Sequence, residues 1–187
     1  MIAGIDEAGR GALAGPVVIA CIILNDTSLT TLFSDSKQLT KQKRNDLYIR
    51  LKNSSTIVRY SIINHKIIDK INILEATLLG MKYTIKNLPI KPNKIIIDGN
   101  RIPTLNGYNI EACVKGDQLV QEISAASICA KVLSDKIMQK YNRYINNFNF
   151  SKHKGYGTKL HYKELENHGP TSIHRQSFNL NKQLPLF

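Results

Sequence analysis

Short apolar segments bounded by turn residues recur through the first part of the chain, and such segments are typical of β-strands. They predict five strands, over residues 2–6, 17–24, 56–63, 94–98 and 108–114. The first two segments are joined by a cluster of Gly9, Gly11, Gly15 and Pro16, which favours a turn. We therefore expect the first two strands to pair as a hairpin.

Other segments carry apolar residues at every third or fourth position, which is the period of an amphipathic helix. They predict four helices, over residues 40–51, 72–88, 118–144 and 160–167. Thr40 is the expected N-cap of the first helix, and Leu119 and Ile123 begin the inner stripe of the longest one. This order of elements indicates an α/β domain with a mixed sheet. We place that domain at residues 1–146, followed by a small helical C-terminal segment and tail at residues 147–187.

The composition is that of a folded protein. The chain has 187 residues, of which 42% are hydrophobic, enough to bury a core without disulfides or a structural metal. Its longest near-apolar run, residues 16–24, is far shorter than the ~20 residues of a membrane-spanning helix. Asp6 and Glu7 stand where a secretory signal would be basic and then apolar. We expect a monomeric cytoplasmic protein that makes no membrane contact.

The net charge indicates a polyanionic partner. Lys and Arg number 26 against 14 Asp and Glu, which gives +12 at neutral pH. A single domain this basic is typical of nucleic-acid-binding proteins. A bias of the source lineage towards Lys, Asn and Ile is the alternative explanation for part of the excess.

The few acids of the chain fall at the ends of predicted strands. Asp6 lies in an apolar strand, Asp98 ends the run of residues 95–97, and Asp117 follows the last strand. Carboxylates from separate strands can converge at one edge of a sheet, where they need cations, and oxygen ligands suit Mg²⁺ or Mn²⁺. An acidic pocket in a basic protein suggests metal-dependent phosphodiester hydrolysis, in which two ions activate water and stabilise the leaving 3′-oxygen.

Each acid also has a simpler interpretation. Asp98 can begin a turn and Asp117 can cap the long helix. Asp6 is harder to explain structurally, because an acid within an apolar strand is costly without a partner. Glu7 would point to the opposite face from Asp6 unless the strand ends or bends there.

Other reactive residue types show no catalytic or metal-binding pattern. Cys21, Cys113 and Cys129 lack metal-site spacing and are expected to be buried free thiols. His161 and His174 are expected to make local hydrogen bonds in the C-terminal segment. The serines at 124 and 127 fit close helix packing rather than a nucleophile.

Several ordered motifs together resemble the type 2 ribonucleases H, the ribonuclease HII family. The motifs are GIDEAGRG at 4–11 with GPV at 15–17, DSKQL at 35–39, IDG at 97–99, KGD at 115–117, SAASI at 124–128 with AKV at 130–132, and KGYGT at 154–158 with GP, HR and SF at 169–170, 174–175 and 177–178. Gly157 departs from the pattern, since bacterial members commonly have proline there.

This resemblance implies a ribonuclease H-like fold. It also implies an endonuclease that cleaves the RNA strand of RNA–DNA hybrids and cuts at single ribonucleotides embedded in duplex DNA. The implied metal ligands and catalytic residues are Asp6, Glu7, Asp98 and Asp117. The implied substrate contacts are Gly9, Arg10 and Gly11 at the ribose 2′-hydroxyl, Tyr156 at the sugar of the RNA–DNA junction, and Ser36 and Lys37 at phosphates.

Structural explanations of the substrate residues stay open at this point. The glycines at 9 and 11 also suit a tight turn, and a loop tyrosine such as Tyr156 often only packs. Another nuclease of the same broad fold, such as a junction resolvase, and a non-catalytic basic nucleic-acid-binding module are the alternative functions.

The C-terminal tail resembles the peptide by which bacterial replication and repair proteins bind the sliding clamp. The residues that match its Gln-Leu-x-Leu-Phe pattern are Gln183, Leu184, Leu186 and Phe187. Apolar anchors at a chain end can enter a partner's pocket. The alternative is a tail that packs on its own domain.

Overall fold

The computed structural model describes residues 1–25 and 39–181. It contains one sheet, whose strands are β1 (Ile2–Ala8), β2 (Val17–Ile23), β3 (Ile57–Ile63), β4 (Lys94–Asp98) and β5 (Ile110–Cys113). Their order is β3-β2-β1-β4-β5. The pairs β1–β2 and β2–β3 are antiparallel, whereas β1–β4 and β4–β5 are parallel. The predicted hairpin and the predicted mixed five-stranded sheet are confirmed.

Helices cover both faces of this sheet. They are α1 (Lys41–Asn53), α2 (His65–Lys86), α3 (Gly116–Leu119), α4 (Gln121–Tyr144), α5 (Phe150–His153) and α6 (Lys159–His168). Thr40 caps α1 as predicted, because its hydroxyl accepts a hydrogen bond from the Lys43 amide at 3.3 Å. None of the helices described is both long and apolar enough to cross a membrane.

The strands are apolar on both sides because each side has its own helical layer. One face packs on α2, around Ile5, Ile19 and Ile97. The other packs on α4 and α1, around Ile22 and Leu51. Cys21 and Cys129 are buried in these layers as predicted, but Cys113 at the end of the edge strand is only partly buried.

Gly4 lets α4 approach β1 at main-chain distance. A Cβ atom at this position would collide with the α4 backbone at Glu122 and Ile123. The absent side chain therefore brings the first turns of α4 against the middle of β1, two residues before Asp6.

Two helix boundaries differ from the sequence prediction. The helix expected to begin at Asn72 starts at His65, and Asn72 is a break inside it, with φ of 65°. The Asn72 side chain accepts from the Glu75 amide at 3.1 Å, so it caps the second half of α2. The period of apolar residues correctly predicted the second half of α2. It did not predict the first turns of the helix, at residues 65–71.

The predicted helix over residues 118–144 is two helices. Val120 is extended between α3 and α4. Leu119, expected on the inner stripe, is 72% exposed, because α3 runs in a different direction from α4. Asp117 lies in the first turn of α3 and does not cap the long helix.

The C-terminal segment builds a separate small core. Leu13, Met138, Phe148, Phe150 and Leu165 form its centre. Isolated β-bridges join Ala12 to Tyr156 and Ala14 to His174. The loop after β1 is therefore part of the same unit as residues 147–181.

Three buried histidines fill the middle of this segment. His153 and His161 stack with ring centroids 4.0 Å apart, and His161 Nε2 is 3.0 Å from His174 Nε2. Burial is the largest cause that lowers the pKa of His161 and of His174, from 6.5 to about 4, and nearby histidines lower both further. The prediction that His161 and His174 make local hydrogen bonds is confirmed.

These histidines make the fold acid-sensitive. A histidine whose pKa is lower in the folded state stabilises the fold above the unfolded pKa of 6.5, and this is lost as the pH falls through about 4. We expect the free energy of unfolding to fall over that range, by on the order of 2 kcal/mol for each histidine. Urea denaturation at a series of pH values measures it.

The variant His161→Asn isolates the contribution of one buried histidine to this loss of stability. It should show a shallower loss than wild type between those pH values, and His168→Gln, at an exposed histidine, should keep the wild-type slope. Identical slopes for wild type and His161→Asn would contradict the assignment.

Candidate active site

Three of the predicted acids meet at one edge of the sheet. Parallel pairing of β1 with β4 sets Ile5 beside Ile97, so the residues that follow, Asp6 and Asp98, stand at the same level. Strand β1 does not end at Glu7, as one sequence interpretation required, but continues to Ala8. Glu7 and Asp6 both interact electrostatically with Asp98 nonetheless.

The fourth acid reaches the same region from α3. The Asp98 Oδ1 atom accepts a hydrogen bond from the Gly116 amide at 2.7 Å. Lys115 adopts a left-handed conformation, with φ of 58°, which turns the chain from β5 into α3. Asp117, the second residue of α3, is 7% exposed.

A cavity of about 350 Å³ opens beside these acids. Glu7 and Asp117 line it, whereas Asp6 and Asp98 are not among its lining residues. Cationic and aromatic side chains complete the wall, namely Arg10, Arg44, Lys131 and Tyr156. The cavity thus combines two acids with three cations.

Burial makes the charge on the acids costly. It is the largest cause that raises the pKa of Asp6 to about 8, and the adjacent Glu7 charge raises it further. Burial also raises the pKa of Glu7, although Arg10 opposes this through an ion pair of 3.1 Å. The other Glu7 oxygen, Oε2, is buried and has no hydrogen-bond partner.

These features fit a divalent cation. Carboxylate oxygens are the ligands that Mg²⁺ and Mn²⁺ prefer, and an unpaired buried carboxylate oxygen is stabilised by a cation. Among the described residues, no three His, Cys, Asp or Glu side chains are already arranged as a metal-binding group.

Four of the predicted substrate residues lie in the part of the chain that the structure describes, and two do not. Gly9, Arg10, Gly11 and Tyr156 all line the cavity. Ser36 and Lys37 lie outside the described residues, as does the tail from residue 183.

The known proteins that are similar to this chain belong to the family that its motifs resemble. The family model for ribonuclease HII matches residues 3–181. A ribonuclease HII of Pelagibacter ubique is 46% identical over 179 residues, which is 96% of each chain. The chain belongs to the ribonuclease HII family. It is an endoribonuclease of the ribonuclease H class, as the motifs predicted.

Solved structures confirm the ribonuclease H-like fold. Ribonuclease HII of Archaeoglobus fulgidus, solved in a complex with PCNA, matches with a TM-score of 0.80 at 22% identity, over 99% of this chain and 98% of that one. Bst-RNase HIII, solved in complex with Mn²⁺, matches with a TM-score of 0.71 at 15% identity, over 96% of this chain and 67% of that one.

The sequence analysis missed two cations of the cavity wall. Arg44 lies on α1 and Lys131 on α4, where Lys131 also pairs with Asp135 at 2.8 Å. In the sequence, Lys131 stands out only as part of the AKV motif at residues 130–132. Spacing by four residues from Ser127, which also lines the cavity, was the available signal, because such residues share a helix face.

The substitution Asp6→Asn tests whether this acid is held ready for a cation. Above the Asp6 pKa of about 8, removing the charge should stabilise the metal-free protein, by about 2–4 °C for each kcal/mol of repulsion relieved. The same substitution should abolish most of the thermal stabilisation that Mg²⁺ gives to wild type. Thermal unfolding with and without Mg²⁺ measures both effects.

Asp46→Asn is the matched control, because Asp46 is an exposed acid on α1 that should leave the Mg²⁺ effect unchanged. Loss of stability in metal-free Asp6→Asn together with full Mg²⁺ stabilisation would show that Asp6 has only a structural role.

Proposed function

We propose that this ribonuclease HII hydrolyses the RNA strand of RNA–DNA hybrids and cuts on the 5′ side of ribonucleotides embedded in duplex DNA. The products would carry 5′-phosphate and 3′-hydroxyl ends. The observation that carries the proposal is the cluster of acids at the carboxyl ends of β1 and β4, beside a cavity that is also lined by Arg10, Arg44 and Lys131.

In this proposal Asp6, Glu7, Asp98 and Asp117 are the metal ligands. When bound, Mg²⁺ or Mn²⁺ supplies the activation of the attacking water and the stabilisation of the leaving oxygen, with two ions sharing these tasks. The Gly116 amide fixes Asp98 by a hydrogen bond, and Arg10 fixes one oxygen of Glu7, which leaves Glu7 Oε2 for a cation.

Substrate recognition is assigned to the loop after β1 and to the C-terminal segment, residues 147–187. Main-chain groups of Gly9, Arg10 and Gly11 would bind the 2′-hydroxyl that distinguishes RNA from DNA. The Tyr156 ring, with Lys131 Nζ 5.5 Å from its centroid, would pack on the sugar at the junction. Ser36 and Lys37 would bind phosphates.

A group of basic side chains beside the cavity supports a nucleic-acid partner. Burial is the largest cause that lowers the pKa of Lys154, and the charges of Lys41 and Lys131 lower it further. The charge of Asp135 raises the pKa of Lys154. Like charges held this close favour binding of a phosphate backbone. We further propose that the protein acts as a monomer in the cytoplasm.

The test is cleavage of three substrates by the full chain. A duplex with one ribonucleotide and an RNA–DNA hybrid should be cut in Mg²⁺, a four-way DNA junction should not, and a chelator should stop the reaction. Asp98→Asn should reduce the rate about a hundredfold or more, because it removes a ligand charge. Gel analysis of labelled strands gives rates and end groups.

Asp46→Asn again serves as the matched control and should cut at the wild-type rate. Cleavage of the junction alone would favour a resolvase, and binding without cleavage would favour a non-catalytic module. An Asp98→Asn rate equal to that of wild type would exclude the metal-ligand role.

We further propose that the tail binds a sliding clamp through Gln183, Leu184, Leu186 and Phe187. The support is the sequence pattern and the existence of a PCNA complex of the Archaeoglobus neighbour. The apolar residues would enter a pocket of the clamp, while the domain stays free to bind substrate.

Deleting residues 183–187 should abolish binding to the clamp of the same organism and leave cleavage of free substrate unchanged. Surface plasmon resonance measures the binding. Pro185→Ala, at the variable position of the pattern, is the control that should retain affinity. Undiminished clamp binding after the deletion would refute this role of the tail.

A further inference from the structure

Arg175 is a fully buried cation that is bound by main-chain oxygens. Its Nη2, Nη1 and Nε atoms donate to the carbonyls of Gly9, Arg10 and Gly15 at 2.7, 2.8 and 3.0 Å. Its exposed fraction is 0%. No carboxylate in residues 1–25 and 39–181 forms an ion pair with it. The charge of Arg175 is therefore compensated by the loop between β1 and β2.

These hydrogen bonds fix the direction of two peptide groups. In a planar trans peptide, the N–H points away from the carbonyl of the preceding residue. Because Arg175 binds the carbonyls of Gly9 and Arg10, the amides of Arg10 and Gly11 face away from the guanidinium. Gly9 has φ of 95°, which only glycine adopts at low cost, and the three residues line the cavity.

His174, the residue before Arg175, is connected by hydrogen bonds through His161 to Tyr156, the second proposed substrate contact. The Thr171 amide donates to His174 Nδ1 at 2.9 Å, so the proton of neutral His174 is on Nε2. That proton is donated to His161 Nε2 at 3.0 Å. His161 then carries its proton on Nδ1 and donates it to the Tyr156 carbonyl, also at 3.0 Å.

The two sets of hydrogen bonds are joined by the main chain. The Arg175 amide donates to the Leu13 carbonyl at 2.8 Å, and the Leu13 amide donates to the Gly155 carbonyl at 2.7 Å. Neighbouring residues, His174 and Arg175, thus hold the two cavity elements at a fixed separation.

We propose that His174 and Arg175 are a positioning pair that sets the distance between the amides of residues 10–11 and the Tyr156 ring, and so determines selectivity for a lone ribonucleotide. The pair does not touch substrate. The inference rests on the proposed function, since it assumes that the cavity binds a ribose and its junction sugar. A uniform hybrid offers many riboses for alignment, whereas an embedded ribonucleotide offers one, so the latter depends more on this distance.

Arg175→Lys is the first test, because it keeps the charge and removes the planar fork. We expect the ratio of kcat/KM for the single-ribonucleotide duplex to that for the hybrid to fall about tenfold, the equivalent of one hydrogen bond. The ¹H–¹⁵N resonances of Arg10 and Gly11 should move in the substrate-free protein. Stabilisation by Mg²⁺ should stay at the wild-type level.

Arg59→Lys is the matched control. Arg59 also donates to main-chain carbonyls, those of Val58 and Asn87, but it lies on β3 away from the cavity. Its kcat/KM ratio and the resonances of residues 10–11 should equal those of wild type.

A second pair of variants decides the matter should Arg175→Lys fail to fold. His161→Asn keeps a donor near the position of Nδ1, whereas His161→Gln places its amide near Nε2 and loses the bond to Tyr156. We expect His161→Gln to lower the ratio of the two kcat/KM values. His161→Asn should keep this ratio close to that of wild type.

Equal loss on both substrates, or an unchanged ratio with unmoved amide resonances, would overturn the positioning role and leave a purely structural one. Failure of the proposed function is a separate result, namely a wild-type protein that cuts neither substrate. In that case the amide resonances still decide whether Arg175 orients residues 10–11.

Discussion

The constraint on which the site depends is the parallel pairing of β1 with β4, which places the buried Asp6 level with the partly buried Asp98. Burial deprives the Asp6 carboxylate of hydration and is the largest cause that raises the pKa of Asp6, and the adjacent Glu7 charge raises it further. The charge of Asp98 across the strand pair adds a smaller effect in the same direction. Glu7 has a buried oxygen, Oε2, without a hydrogen-bond partner, and a cation held by these acids would offset both costs.

The charge pattern around the acids resolves the contrast between a basic protein and an acidic centre. Arg10 and Lys131 each have an acid partner, Glu7 and Asp135, so they are held in place by ion pairs at the cavity. In the proposed function, cations arranged in this way attract a phosphate backbone from a distance, and the acids act at contact range through bound metal. The net charge of +12 would then serve substrate attraction rather than catalysis.

Local sequence was enough to predict the sheet and the positions of the acids along it, because strand periodicity and the end of a strand are local properties. It was not enough for α3: the period of apolar residues continues across Val120, but tertiary packing turns Gly116–Leu119 away and leaves Leu119 in solvent. Glu7 shows the same limit, since alternation along β1 assigns it to a face and does not show that the cavity lies at the strand's end. The role of Arg175 could not be predicted from its local sequence, because its partners are about 160 residues away in the chain, beside β1.

In the proposed function, catalysis and selectivity are built from different interactions. The acids are positioned by the sheet and by the close approach of α4 at Gly4, which involve the first two thirds of the chain. The loop at residues 9–11 is held by Arg175, which follows the last helix, and the Tyr156 main chain is held by His161 of α6, both through directional hydrogen bonds. A hydrophobic contact would bury the same area but would not fix which way a peptide amide points. In the proposed function, the polar interior of the C-terminal segment serves orientation as well as stability, and it can change without altering the proposed metal ligands.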